Sequence, residues 1–133
     1  MEKRVAVRAS RVSKEFRIDN ERVNAVLKEV SFEAHYGEFV SILGISGSGK
    51  STLLKCLSSL SLPTSGEVEV NGINPYQLSN SKLAKFRRGD ISLIFQSYNL
   101  LPALPAIENV TLPLRLSHKK IDRKQIENKL KSC

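Results

Sequence analysis

Residues 44–51 read Gly44-Ile45-Ser46-Gly47-Ser48-Gly49-Lys50-Ser51, a complete G-x-x-x-x-G-K-S pattern, and the stretches on either side restrict what the chain around it can become. Before it, Glu38-Phe39-Val40-Ser41-Ile42-Leu43 is apolar and β-branched, which predicts a buried parallel strand. After it, Ser51-Thr52-Leu53-Leu54-Lys55-Cys56-Leu57 spaces its apolar side chains as a helix does. Strand, glycine loop and helix in that order is the setting in which this pattern cradles phosphate, so the expected fold class is α/β. A Gly/Ser-rich loop with a solvated lysine is the plain alternative, and both flanks weigh against it.

Each residue type in the loop has a chemical reason to be there. Glycines 44, 47 and 49 are expected to take positive φ and bring the backbone close to phosphate oxygens, so that successive N–H groups point inward as an anion nest. The helix starting near Lys50 aims its partial positive end at the same place. The Lys50 ammonium would reach the β- and γ-phosphates, the Ser51 hydroxyl would ligate Mg²⁺, and Thr52 would hydrogen-bond on the α-phosphate side. A nucleoside triphosphate with Mg²⁺ is the ligand this chemistry suits.

The 133 residues are 41% hydrophobic and 26% charged, which describes a globular chain with enough length for one domain. No apolar run approaches the roughly 18 residues of a membrane helix, and Met1-Glu2-Lys3-Arg4-Val5 lacks a signal-peptide core, so a soluble intracellular protein is expected. The two cysteines, Cys56 and Cys133, have no metal-ligand or redox spacing and read as inert thiols. The net charge of +8 concentrates in Arg115 to Lys131 and in Lys82, Lys85, Arg87 and Arg88. Without interleaved aromatics these runs read as solvated helix faces, and nucleic acid is not an expected partner.

Along the chain, Val5–Ala9 and Val30–Ala34 alternate as half-buried strands around a polar turn at Asp19-Asn20-Glu21. Pro63-Thr64-Ser65-Gly66 is turn chemistry, and Glu67-Val68-Glu69-Val70 is an alternating strand closed by Asn71-Gly72. A short polar helix is expected over 79–88, a second apolar strand over Ile91-Ser92-Leu93-Ile94-Phe95 ending in Gln96, and an amphipathic piece over 107–116. Asp122 with Gln125 resembles a capping box, and Ile126, Leu130 and Cys133 form one stripe. This last helix has no stop signal, so the chain is expected to continue past Cys133 as part of a longer protein.

Four stretches in order, Gly37 to Gly44, Ser46 to Leu54, Pro63-Thr64-Ser65-Gly66-Glu67-Val68 and Ile94-Phe95-Gln96, together resemble the ATP-binding subunit of an ABC transporter. Tyr98-Asn99-Leu100-Leu101-Pro102, Glu108-Asn109-Val110 and Leu112-Pro113-Leu114 look most like the bacterial branch of lipoprotein release, macrolide export and cell division. The resemblance covers about residues 5 to 116. It implies a partial nucleotide-binding domain over 1–133. Residues 1–43 and 66–74 would form an antiparallel β subdomain, 44–62 and 91–96 a P-loop NTPase core, and 97–133 a Q-loop and the start of a helical subdomain.

The resemblance also assigns roles. Gly44, Ile45, Ser46, Gly47, Ser48, Gly49, Lys50, Ser51 and Thr52 would bind ATP, with Lys50 and Gln96 catalytic and Ser51 and Gln96 on Mg²⁺. Phe16 stands where the family usually has a tyrosine stacked on adenine, with Val26 beside the ring; packing between strands is the alternative for Phe16, and an ordinary polar strand end the alternative for Gln96. Residues near 97–114 would meet a membrane-spanning subunit, and a homodimer or paired nucleotide-binding subunit would complete the site at the cytoplasmic face of the membrane. His35 and His118 match nothing catalytic and are expected to be solvated. Ile45 departs from a common proline. The 133 residues contain no L-S-G-G-Q signature and no counterpart of the family's catalytic glutamate or switch histidine, so this chain is expected to bind ATP with little turnover. The competing expectations are a different P-loop enzyme, with Asp90 as its nearest acid, and a non-catalytic nucleotide-binding module.

Overall fold

The computed structural model describes residues 2–97, 101–117 and 120–132. Two compact units divide the chain, Met1–Ile91 and Ser92–Cys133. The first contains β1 (Val5–Arg17), β2 (Val23–His35), α1 (Lys50–Leu57), β3 (Ser65–Val70), a short 3₁₀ turn (Pro75–Gln77) and α2 (Asn80–Gly89). The second contains α3 (Ala106–Leu116) and α4 (Arg123–Lys131).

One antiparallel sheet in the order β2-β1-β3 forms the first unit's frame. The β1–β2 hairpin is longer than its sequence pattern suggests, with 13 residues in each strand. Its polar turn is closed by Asp19, whose carboxylate accepts from the N–H groups of Glu21 and Arg22 and from the Arg22 guanidinium. These bonds hold the Asp19 carboxyl below its ordinary range, the Glu21 N–H contributing most. At the other end, Asn71 and Gly72 take φ 54 and 76, the two positive values of a type I′ turn, and return the chain so that Val70 pairs with Ile73.

The core lies between one face of this sheet and α1. Ala9, Val12, Leu27, Val68 and Val70 from the strands meet Leu53, Cys56 and Leu57, which fall on one helical stripe, and Phe86 of α2 completes the cluster. Burial pushes the Cys56 thiol above its ordinary range, as expected for an inert core cysteine; Cys133 lies outside the described residues.

The two apolar runs expected to be parallel strands, 38–43 and 91–95, are not strands among the described residues. Their composition suits a strand buried on both faces, and such a strand exists only through ladders on its edges. Here only Ile42 and Ile91 pack partly against the core, while Phe39, Leu43 and Ile94 stand 95%, 91% and 93% exposed.

In the second unit, Asp122 caps α4 by accepting from the Gln125 N–H, as its sequence implied. Glu108 on α3 takes ion pairs from Arg115 and from Arg123 of α4. The Asn109 carboxamide organises the loop before α3. Its Oδ1 accepts from the Leu101 N–H at 2.8 Å, and its two Nδ2 hydrogens are shared among the carbonyls of Leu101, Leu104 and Pro105.

Candidate phosphate-binding site

The loop that precedes α1 has the geometry of an anion cradle. The Ser48 N–H donates to the Ile45 carbonyl, closing a turn whose third residue, Gly47, sits at φ 79 as a type II turn requires. Gly49 takes φ 94 and stands at the N-terminus of α1. Gly44 does not take positive φ, in contrast to expectation; a Cβ there would lie 2.5 Å from Ser48 Oγ, so a side chain at 44 would make the Ser48 hydroxyl turn away from Lys50.

Lys50 turns back into this loop. Its Nζ donates to the carbonyls of Gly44 at 2.6 Å and Ile45 at 2.7 Å and to Ser48 Oγ at 3.2 Å, so the three hydrogens of the ammonium match three acceptors of the loop. A full positive charge is thereby held at the mouth of α1. That helix has no capping side chain and no acidic residue in its first turn, leaving its first N–H groups for an outside acceptor. Ser51 is exposed and Thr52 half-buried on the same first turn.

The far end of α1 is clamped by residues that sequence reasoning missed. The Tyr76 hydroxyl lies 2.6 Å from the carbonyls of both Cys56 and Ser61, sharing its proton between them. Arg87 of α2 donates to Ser59 Oγ and to the Ser59 carbonyl. Ser59 sits at φ 70, so the clamp fixes a strained turn. Burial pushes the Tyr76 phenol up to about 12. Nothing local in Asn74-Pro75-Tyr76 signals this contact, which depends on the fold bringing 76 and 87 to the helix end.

The hairpin reaches the loop from the other side. A Cβ built on Gly49 would meet the Val26 carbonyl oxygen at 3.0 Å, and Leu27 Cδ2 and Val26 Cγ1 at 3.1 Å. Val26 is therefore brought against the phosphate loop. Phe16, opposite Asn24 on the same hairpin, is 45% exposed, with the Lys14 ammonium 5.3 Å from its ring centroid. Lys14 is held in turn by the Leu62 carbonyl at 2.6 Å.

The Pro63-Thr64-Ser65-Gly66 stretch grips β1. Thr64 Oγ1 accepts from the Glu15 N–H, and the Thr64 N–H donates to the Ser13 carbonyl. Gly66 is forced by contact, since a Cβ there would lie 2.2 Å from the Arg11 carbonyl oxygen.

Gln96 belongs to the second unit, where it is exposed in a bend. Asp90 accepts from the Asn71 amide at 3.2 Å. His35 is not free in solvent as expected: its ring stands 3.3 Å from Glu38 and 3.9 Å from Glu33, and the bond its backbone N–H donates to the Glu38 carboxylate is the main cause holding that group below the ordinary glutamate range. His118 and the stretch Tyr98-Asn99-Leu100 lie outside the described residues. Among the described residues no cluster of His, Cys, Asp and Glu has the make-up of a metal site.

Comparison with known proteins gives this geometry a family. The ABC transporter family model matches residues 27–132. The ABC transporter ATP-binding protein YxdL of Bacillus subtilis is 48% identical over 90 residues, which are 68% of this chain and 35% of that protein. The bacitracin export ATP-binding protein BceA of Halalkalibacterium halodurans is 44% identical over 106 residues, 80% of this chain and 41% of that one. The chain thus spans less than half the length of these relatives. Among solved structures, the dimeric ATP-binding cassette MJ0796 in a post-hydrolysis state with ADP and Pi superposes with a TM-score of 0.84 at 40% identity, over 94% of this chain and 56% of that one. A family match across most of the chain, together with a fold shared with a solved cassette, identifies this chain as a member of the ABC transporter family, with the cassette's α/β P-loop fold.

Proposed function

We propose that this chain is the ATP-binding part of an ABC transporter ATPase subunit that couples ATP binding and hydrolysis to export or substrate extraction at a membrane. The observation that carries the proposal is the Lys50 ammonium held inside a glycine loop at the uncapped N-terminus of α1. The β- and γ-phosphates of ATP would exchange with the loop carbonyls as partners of Lys50, while Gly47 and Gly49 keep the approach open. Ser51 would ligate Mg²⁺, Gln96 is the other residue that the family resemblance assigns to the ion, and Mg²⁺ would supply charge neutralisation at the phosphates. Phe16 would stack on the base, with Val26 beside it.

Family membership supports ATPase chemistry in general. The loop and Lys50 clamp the ground state, and no residue of the 133 corresponds to the family's water-activating glutamate, so this chain alone would bind ATP without efficient turnover. The dimeric state of the similar cassette supports pairing with a second nucleotide-binding subunit. Residues near 97–114 would contact a membrane-spanning subunit at the cytoplasmic face, and no helix among the described residues is long and apolar enough to cross a membrane itself. The export direction rests on the resemblance of residues 98–114 and on the name of one relative.

Calorimetric titration with Mg-ATP tests the site. Lys50→Ala removes a charge-assisted contact to phosphate and should weaken binding by about 1.5–3 kcal/mol. Equal affinity of folded wild-type and Lys50→Ala protein would refute the assignment.

A further inference from the structure

Two residues of the hairpin are held in a backbone state that side chains disfavour: Arg11 at φ 50 and Glu29 at φ 46. They face each other across the sheet, and the strand register explains both. Pairing runs from Ala9–Phe32 to Val12–Val30 and then to Lys14–Leu27. β1 therefore advances three residues while β2 advances two, and in the next step β2 advances three while β1 advances two. Over these two steps each strand carries one extra residue, and the second bulge cancels the register shift of the first.

The bulges are built reciprocally. The Arg11 N–H, displaced from the ladder, donates to Ser31 Oγ at 2.8 Å, and the Glu29 N–H donates to Ser13 Oγ at 2.9 Å. The Arg11 guanidinium closes the pair on the Glu29 carboxylate at 2.7 Å. Gly66 admits the arrangement from the β3 side, where Arg11 and Ser10 leave no room for a Cβ. The bulges also keep Ala9 and Val12 on one core face despite their odd spacing.

Beyond the bulges lies the part of the hairpin that meets the phosphate loop. Val26 is itself an extra residue, between the pairs Lys14–Leu27 and Glu15–Ala25, and its carbonyl leans on Gly49. Bulges bend and twist a strand and so re-aim the residues on its far side. We propose that Ser13 and Ser31 are positioning residues for the base of a bound nucleotide. Their hydroxyls lock the reciprocal bulges, and the bulges aim the outer half of the hairpin, with Phe16 and Val26, over the phosphate loop. This rests on the nucleotide-binding reading of the loop.

The test compares the affinity of the 133-residue protein for Mg-ATP and for Mg-tripolyphosphate, which has the phosphates without the base. Wild type should prefer ATP. Ser13→Ala with Ser31→Ala should lower that preference about ten-fold, inside the roughly 5- to 150-fold that a stacked base is worth, and leave tripolyphosphate affinity unchanged. Ser13→Thr with Ser31→Thr, which keeps both hydroxyls, should restore the preference. An unchanged preference, or equal loss for both ligands, overturns the proposal. If wild type binds tripolyphosphate as well as ATP, the base platform is refuted and the phosphate loop stands; if it binds neither, the loop reading falls and takes this one with it. If the double alanine variant does not fold, deletion of both Arg11 and Glu29 gives a second route, because it removes the two reciprocal bulges and leaves Ala9, Val12, Leu27 and Val30 on their face. That variant must show the same selective loss, and retention of the ATP preference overturns the proposal.

Discussion

Replacing Gly66 by alanine should be far more damaging than replacing Gly72, although both glycines sit in the left-handed region, at φ 84 and 76. At either position an alanine costs about 1–2 kcal/mol for that backbone state. About 0.4–1 kcal/mol is offset because the unfolded chain becomes stiffer. At Gly72 nothing lies within 4 Å of the added methyl, so the net effect should be about 1 kcal/mol. At Gly66 the methyl would lie 2.2 and 2.5 Å from the Arg11 carbonyl oxygen and carbon and 2.7 Å from the Ser10 carbonyl oxygen, all backbone atoms that cannot rotate away. β3 must then lift from β1 next to the Ser10–Glu67 and Ser13–Ser65 pairs and the Thr64 N–H bond to the Ser13 carbonyl. Losing two such bonds at about 1 kcal/mol each brings the total to about 3 kcal/mol. Urea unfolding of the three proteins, compared at constant m, measures the difference. Gly66→Ala and Gly72→Ala destabilising equally, within about 0.5 kcal/mol, would refute the contact argument.

Phe16→Ala should weaken ATP and GTP binding alike, by about 1–3 kcal/mol, because stacking reads a ring face and not base edges; isothermal titration with both nucleotides checks it. Tyr76 gives a pH signature. Its folded value, about 12, lies above the ordinary 10.0, so its stabilising effect is complete below pH 10 and is lost as pH rises toward 12. Denaturant midpoints measured across that range should fall in wild type and flatten in Tyr76→Phe, which keeps the ring and removes the titrating hydroxyl. Phosphate release by the 133-residue chain should stay near background even at saturating Mg-ATP, lacking the 10²–10⁴-fold that a general base typically supplies. Turnover of several per second that Lys50→Ala abolishes would show that a water-activating group is present in these residues.

The glycine loop and the helix after it were legible because their signals are local: glycines, lysine and hydroxyl lie within eight consecutive positions, and the helix repeats its apolar stripe without interruption. The hairpin was legible only in part. Its two-residue alternation breaks at Ser10-Arg11 and at Lys28-Glu29, the places where the extra residues enter, so sequence periodicity shows two short strands where the structure has two of 13 residues. The two apolar runs at 38–43 and 91–95 advertise buried strands, and their ladders require partners that periodicity does not supply. Tyr76 was silent, and Arg87 read only as one of a solvated basic run, for a different reason. Each acts on carbonyls 15 to 28 positions away, and a tyrosine or arginine bound to a distant turn has no spacing to give it away.

The Asn109 carboxamide makes the shape of a loop depend on one nitrogen atom. Asn109→Asp replaces an N–H₂ group by an oxygen at almost the same place and with almost the same volume. Here that nitrogen sits 3.3, 3.0 and 3.1 Å from the carbonyl oxygens of Leu101, Leu104 and Pro105. The exchange would turn attraction to three carbonyls into repulsion from a carboxylate, while the bond from the Leu101 N–H to Oδ1 would survive. The segment 101–105 would then be held at one point instead of four, by a change of a single atom that leaves the volume of the side chain untouched.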